Sequence, residues 1–422
     1  MSEPLSTDPY KGVRDFYPDD WARLYAMFTT IRDTLGAWGY EEYNASPLER
    51  AELYEAKTSE EIVNEQTYTF TDRGDRRVTL RPEMTPTLAR MVAGKRREIP
   101  LPLRWFSIPN VFRYERPQKG RLREHYQLNV DLVGSASSEA DIEIITLASA
   151  LLKAFGAQES DFIIRVNSRA LLTSACTAAG QSEEATKHYL HLLDKKNKMT
   201  PEAFALAKDA ITNKDPLAII NNVGSSPEVA EEKKILLNTI KALTERGVSN
   251  AVFDPSLTRG FDYYTGIVFE IFDTNPANPR SLFGGGRFDK LVTLFGGDPI
   301  PAIGFGMGDV TLADFLETHE LVLKNTSGKP QLYLGTPVAS DIPAAQAFAE
   351  TLRKESARIF VNLTDKGLGD QIKDAVKRDI PIFIAYGADE VASQTVRMKV
   401  LATGVEITLP LSELSVRLRT GI

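Results

Sequence analysis

The segment Arg259-Gly260-Phe261-Asp262-Tyr263-Tyr264-Thr265-Gly266-Ile267-Val268-Phe269-Glu270 opens on an arginine and carries two adjacent tyrosines. Aromatic and β-branched residues fill both faces with no helical period, so the run reads as a buried strand. A buried guanidinium is costly unless it meets an anion, and a buried phenol needs a partner. Related chemistry stands upstream in Phe112-Arg113-Tyr114-Glu115-Arg116-Pro117-Gln118-Lys119-Gly120-Arg121-Leu122-Arg123-Glu124-His125-Tyr126-Gln127. Residues 105–115 and 124–134 read as strands, joined by a loop holding Arg116, Lys119, Arg121 and Arg123. Alternation puts Tyr126, Leu128, Val130 and Leu132 on one face and Gln127, Asn129 and Asp131 on the other, with Arg113 beside them on the neighbouring strand. Such a polar row is ordinarily the solvated side of a sheet. An arginine, an amide and a carboxylate in one row under a cationic loop also suit a triphosphate beside an amino acid.

Those residues need elements to hold them. Residues 1–160 begin with a helix around 19–38 and continue into strand-rich sequence. An amphipathic helix over 138–156 aligns Ile142, Ile145, Ala148, Leu152 and Phe155 on one face. A strand at 162–167 leads into 170–248, which reads as helical, rich in Ala, Glu and Lys. Strands are expected again at 250–272, 281–295 and 301–308. Asn325-Thr326-Ser327-Gly328-Lys329-Pro330 has the composition of a linker. Beyond it the pattern becomes strand 331–336, helix 341–356, strand 358–363, helix 367–379 and strand 381–386. The uninterrupted apolar run Ile380–Ala385 is of the kind parallel sheets bury.

A chain of 422 residues can bury a large core, and 42% hydrophobic with 25% charged residues is a globular composition. No apolar run approaches the ~20 residues needed to span a bilayer. The N-terminal MSEPLSTDPYKG lacks the basic and apolar regions of a signal peptide, so a cytoplasmic protein without membrane contact is expected. The single cysteine, Cys176, excludes an internal disulfide and a Cys-rich metal site, and no metal-ligand set is read from the sequence. His188 and His191, at helical spacing, read as surface residues. A net charge of −7 argues against a globally basic nucleic-acid binder. Local patches can still meet nucleic acid, at the loop 116–123 or around Lys366, Lys373, Lys377 and Arg378, where solvated helix charge is the plainer reading.

FRYERPQKGR followed by REHYQ resembles motif 2 of class II aminoacyl-tRNA synthetases in its histidine-specific version. RGFDYYTGIVFE is similar to the signature of the histidyl-tRNA synthetase family. Leu80-Arg81-Pro82-Glu83-Met84-Thr85 resembles its RPE-x-T element, and Lys11-Gly12-Val13-Arg14-Asp15-Phe16-Tyr17-Pro18 its N-terminal KG-x-RD-x-x-P. Gly284-Gly285-Gly286-Arg287-Phe288-Asp289-Lys290-Leu291 resembles its GGRYD-x-L. A lone GGGR would be weak, but five elements in the family's order are specific. The resemblance implies an α+β class II catalytic domain, with an antiparallel sheet flanked by helices, over residues 1–169 and 249–324. It implies a helical insertion at 170–248 and an anticodon-binding-like α/β domain at 331–422.

The implied activity is ATP-dependent conversion of L-histidine to histidyl-adenylate, then transfer to the histidine tRNA, with Mg²⁺ accompanying ATP. The helix and strand leading to Pro47 resemble motif 1, which implies a homodimer. Arg113 and Arg259 take the catalytic positions, and Arg113, Glu115, Arg121 and Arg259 those that bind ATP. Glu83, Thr85, Arg113, Gln127, Asp131, Tyr263 and Tyr264 take those that meet histidine, with Asp131 and Tyr264 at the imidazole. Gly284, Gly285 and Gly304 are expected to let backbone approach the ligand. One position departs: Thr311 stands where motif 3 ordinarily ends in an arginine that clamps ATP, so Arg121 or Arg123 is the candidate substitute for the γ-phosphate. That departure keeps open a regulatory or sensing paralogue, such as an ATP phosphoribosyltransferase regulatory subunit.

Overall fold

In the computed structural model of the chain, the described residues are 4–55, 66–117, 120–196, 199–222, 226–260, 263–321, 323 and 328–420. They fall into two compact units, 1–324 and 325–422. Gln118, Lys119, Phe261, Asp262 and the linker residues Asn325–Ser327 lie outside the described residues.

The first unit is built on strands β1 (Glu41–Glu42), β2 (Leu48–Arg50), β3 (Tyr68–Thr71), β4 (Arg77–Leu80), β5 (Leu103–Ser107), β6 (Asn110–Phe112), β7 (Glu124–Val133), β8 (Phe162–Ser168), β9 (Ala251–Phe253), β10 (Ile267–Asp273), β11 (Ser281–Arg287) and β12 (Ala302–Gly308). The main sheet runs β1-β5-β7-β12-β11-β10-β8-β9, with β6 paired onto β7, and β2, β4 and β3 form a small separate sheet. Only the outer pairs β1/β5 and β8/β9 are parallel, so the sheet is essentially antiparallel, as expected of the fold class.

Helices cover one face of this sheet. The helix Ser138–Ala154 starts where Ser137 accepts from the Glu139 amide at 3.2 Å, and Glu139 and Asp141 follow in its first turn. Its apolar face buries Ile142, Ile145, Ala148 and Leu152 against the even-numbered row Leu128, Val130 and Leu132 of β7. Each such aliphatic side chain contributes about 1.5–3 kcal/mol on full burial. The helix Pro18–Ala37 buries Leu24, Met27, Phe28, Ile31 and Leu35 in the same core. Among the described residues, five helices lie between Arg169 and Glu245, in keeping with the helical composition of 170–248, and Cys176, Tyr189, Leu193, Val229 and Leu243 join the same core.

Three expectations of continuous strand are corrected. Arg259, Gly260 and residues 263–266, the described part of the segment before β10, carry no strand pairing, and Tyr263 and Tyr264 pack above the sheet in a second cluster with Phe288 and Leu88. Burial on top of a sheet produces the two-sided apolar pattern that a central strand also shows. The run 105–115 breaks at Ile108-Pro109, where proline cannot donate to a ladder and its carbonyl accepts from the Gln127 amide at 2.9 Å. The run 281–295 ends as strand at Arg287 and continues as a 3-10 turn over Leu291–Phe295.

In the second unit β13 (Leu332–Gly335), β14 (Ile359–Val361) and β15 (Ile382–Ala385) are parallel, while β16 (Thr395–Val400) and β17 (Glu406–Pro410) add an antiparallel hairpin, in the order β14-β13-β15-β16-β17. Helices Ile342–Lys354 and Leu368–Lys377 make the crossovers, so the α/β alternation stands as read. Lys373 pairs with Asp370 and Arg378 with Asp374 on the second of these helices, as on an ordinary solvated face.

Candidate active site

Register on the open face of the main sheet places the chemistry. Val268, Gly286, Gly304, Asp131 and Trp105 stand side by side on successive strands, and Glu270, Gly284, Gly306, Asn129 and Ser107 form the next row. Between β7 and β10, three strand spacings or roughly 14 Å apart, the floor is therefore four glycines without side chains. A Cβ on Gly306 would stand 2.8 Å from Gln127 Nε2, one on Gly286 2.9 Å from Tyr264 Cδ1, and one on Gly304 would collide with Asp131. Backbone has to form this surface because no side chain fits above it. The result is a cavity of about 110 Å³.

The cavity is lined by Glu83, Thr85, Arg113, Gln127, Asp131, Arg259, Tyr263, Tyr264, Gly284 and Gly304, so ten of the residues singled out by sequence converge on it. Gly285 does not: it faces the helical layer, where a Cβ would sit 2.6 Å from Phe305 Cβ. Glu115 and Arg121 also lie outside the lining and pair with each other at 3.2 Å. Gly286 and Gly306 were missed, although alternation from Gly284 and Gly304 identifies both. Asn129, which the sequence already placed on the same face as Gln127 and Asp131, completes the lining with Phe288 and Phe305, and alternation past Gly286 could have found Phe288.

Each wall has a local cause. Glu83 and Thr85 flank Met84 at the N-terminus of the helix Thr85–Gly94, where partial positive charge favours a carboxylate. The Tyr263 hydroxyl donates to Glu83 Oε2 at 3.2 Å. Arg81, 2% exposed, ties that turn down by donating to the carbonyls of Asn110 at 2.9 Å and Ala45 at 2.7 Å. Arg113 follows β6 and donates from Nε to the Pro82 carbonyl at 2.9 Å, which turns its terminal nitrogens to the cavity. Arg259 lies over Gly284 and pairs through Nη1 with Glu270 at 2.9 Å.

Electrostatics divide the site. Asp131 is buried, its Oδ2 has no partner among the described residues, and burial alone raises its pKa from 3.8 to about 8. It is therefore largely protonated at neutral pH, poised to share a proton with a nitrogen base. Burial pushes the Tyr263 and Tyr264 phenols above their ordinary range, so both stay neutral donors. Burial also raises Glu270, with the Arg259 charge working against it. Gln127 Oε1 and Arg259 Nε are further buried polar atoms without a partner among the described residues. Unmet donors and acceptors around a glycine floor fit a small polar ligand, and two converging guanidiniums fit an anion beside it.

Among the described residues, no group of three or more His, Cys, Asp or Glu side chains is placed to hold a metal ion, and no helix is long and apolar enough to cross a membrane.

Comparison with known proteins extends this geometry. A family model described as histidyl-tRNA synthetase matches residues 12–309, and one described as an anticodon binding domain matches 333–420. The chain is 43% identical to a histidine--tRNA ligase of Leptospira biflexa, over 97% of both chains. It is 35% identical to a histidine--tRNA ligase of Thermoplasma volcanium, over 97% of this chain and 98% of that one. Its fold superposes with a TM-score of 0.77 on a crystal structure of histidyl-tRNA synthetase from Nostoc sp. PCC 7120, at 22% identity, covering 98% and 99% of the two chains.

Proposed function

The chain belongs to the histidyl-tRNA synthetase family, and from that premise we propose how its cavity divides the labour of histidine activation and transfer. The protein is an ATP-using enzyme that activates histidine and charges tRNA. The observation that carries the residue assignments is the glycine-floored cavity in which Glu83, Gln127 and Asp131 meet Arg113 and Arg259.

Glu83, with Thr85, takes the histidine ammonium, and Gln127 its carboxylate end. Asp131 and Tyr264 take the two imidazole nitrogens. An amino acid without those nitrogens leaves buried polar groups unpaired, which permits discrimination of ~10⁴ or more without editing. A histidine carboxylate oxygen bonds to the α-phosphorus of ATP while the bond from that phosphorus to the oxygen bridging to the β-phosphate breaks. Pyrophosphate leaves with the electron pair. Arg113 holds the α-phosphate and the carboxylate together, and Arg259 meets the charge that builds on the phosphoryl oxygens. A ribose hydroxyl of the terminal tRNA adenosine then attacks the carbonyl carbon, and AMP leaves. Mg²⁺ enters with ATP, held largely by phosphates and water.

Arg121 is half-exposed and paired with Glu115, so it is the group available for the outer phosphates. Arg123 is committed elsewhere, donating to Tyr10 and stacking 4.0 Å over the Tyr114 ring. The regulatory alternative is weakened by the ligase relatives that span 97% of the chain and by the anticodon-binding match at its end.

The decisive measurement is ATP–pyrophosphate exchange against a panel of amino acids, followed by charging of the histidine tRNA. Exchange with histidine alone is the expected result. Folded protein that binds histidine without exchange would overturn the assignment and point to a sensor.

A homodimer is supported by Tyr17, Trp21 and Tyr25, which follow one another at i, i+4 spacing at the start of the first helix and remain 72%, 42% and 51% exposed. Three exposed aromatics on one face mark an association surface, and a two-fold pairing satisfies both copies at once. Sedimentation at micromolar concentration should give twice the 46.8 kDa chain mass, and Trp21→Glu should shift it toward monomer. A wild-type monomer would refute the pairing. Where charging takes place, in the cytoplasm, is the location this reading gives.

A further inference from the structure

Residues Tyr10–Arg14 line no part of the cavity, yet two chains of contacts run from them toward it, one to Arg113 and one to the backbone beside Gln127. Arg123 donates its amide to the Gly12 carbonyl at 2.7 Å, and the Arg113 amide donates to the Arg123 carbonyl at 2.9 Å. Arg123 also donates from Nη1 to the Tyr10 hydroxyl at 3.0 Å. Gly12 has φ +88, and a Cβ there would stand 2.8 Å from Arg123 Cγ and 2.9 Å from Pro117 Cγ. The N-terminal segment can lie this close to the basic loop only with glycine at that position.

The second chain starts at Arg14, which pairs with Asp309 at 2.7 Å. Asp309 is 5% exposed, opens the helix Asp309–Thr318, and accepts the Tyr126 amide at 3.0 Å beside Gln127. His125 lies between Arg113 and Arg14 and is kept neutral, chiefly by burial. Thr311, one turn into that helix, donates back to the Leu282 carbonyl at 2.8 Å, and a Cβ on Gly120 would sit 3.7 Å from its methyl. A longer side chain at 311 would extend toward the loop backbone at Gly120.

We propose that Gly12 and Arg14 are positioning residues for the activation step, Gly12 acting through Arg123 to hold Arg113 at the α-phosphate and Arg14 acting through Asp309 to hold the Tyr126–Gln127 backbone beside it. The short Thr311 belongs to the same device, because it leaves room for the loop to seat on the helix. The claim rests on the reading of Arg113 as a phosphate ligand. The Asp131 end of the row is untouched, so imidazole recognition survives while ATP use suffers.

Arg14→Ala and Gly12→Ala should each lower kcat/KM for ATP in pyrophosphate exchange by about tenfold or more. Histidine affinity should fall less than ATP use does, the Kd staying within about threefold in Gly12→Ala, and single-turnover transfer from preformed adenylate should stay within about twofold. Arg14→Lys should recover much of the Arg14→Ala loss, because a cation opposite Asp309 is restored. Thr311→Arg should weaken ATP binding rather than improve it. Exchange within twofold of wild type in both alanine variants would overturn the proposal. So would a parallel fall in exchange, histidine affinity and transfer, the mark of general misfolding. Should wild-type protein show no exchange, the assignment of function fails by itself, and calorimetric ATP·Mg affinity of wild type against Arg14→Ala still decides the positioning claim.

Discussion

Arg259→Ala is expected to lower single-turnover formation of histidyl-adenylate by roughly 10³-fold, with the histidine Kd changed far less. The reason is where its charge stands. The guanidinium lies over Gly284 on the open face of the sheet, 15% exposed, paired on one side with Glu270 and with no partner at Nε among the described residues. Phosphoryl transfer spreads negative charge over oxygens that carry less of it in the ground state. A fixed cation in a partly dry site therefore stabilises the transition state more than it stabilises bound ATP. Removing it also leaves Glu270 as a buried carboxylate without its cation, which repels the same phosphate. Arg259→Ala/Glu270→Gln separates these effects. If repulsion dominated, the double variant would recover most of the rate; the expected recovery is under tenfold. Arg259→Lys, which keeps charge but loses the planar fork, should fall between wild type and alanine. A rate within tenfold of wild type for Arg259→Ala, in protein of normal melting temperature, would remove Arg259 from the chemical step.

The same segment shows what sequence carries and what it hides. Arg259, Tyr263 and Tyr264 were legible as a buried polar set because their types are costly to bury without partners. Their backbone was misread because a loop lying on a sheet and a strand within it bury both sides equally. The β7 row was legible because period-two alternation is local: Gln127, Asn129 and Asp131 share a face whatever the rest of the chain does. The glycine floor was only half legible. Gly284 and Gly304 belonged to recognisable motifs, but Gly285 was grouped with its neighbours although a strand sends it to the opposite face. What makes Gly286 and Gly306 part of the floor is cross-strand register, Gly286 opposite Gly304 and Gly284 opposite Gly306, and register is set by distant sequence. The N-terminal moorings were invisible for a related reason. Arg14 and Asp309 are 295 residues apart, and neither has a pattern that names the other.

Asp131→Asn should separate stability from function. In the ligand-free protein Asp131 takes up a proton on folding, because its pKa rises from 3.8 unfolded to about 8 folded. Its contribution is fully present below about pH 4 and is lost as pH rises through about 8, where the folded chain must bury a bare carboxylate. Asparagine has no such charge, so the variant should be more stable to unfolding than wild type at pH 8.5, by on the order of 1–3 kcal/mol, with the difference shrinking toward pH 5. Histidine affinity should move the other way. A free imidazole loses its proton near pH 6.5, so between about 6.5 and 8 the partners are a neutral ring and a protonated carboxyl. They then bind without net proton exchange. Below that window histidine must shed a proton, and above it Asp131 must regain one, so Kd should rise on both sides, approaching tenfold per pH unit. Asp131→Asn should raise Kd by ~10²-fold or more and flatten the profile between about pH 8 and 9, where no carboxyl remains to titrate and the histidine ammonium held by Glu83 still carries its proton. Calorimetry across pH 5.5–9.5 on both proteins reads this directly. A wild-type Kd that stays flat above pH 8 would mean that Asp131 binds ionised, accepting a hydrogen bond from the neutral ring. A flat profile together with an unchanged Kd in the variant would take Asp131 out of imidazole recognition altogether.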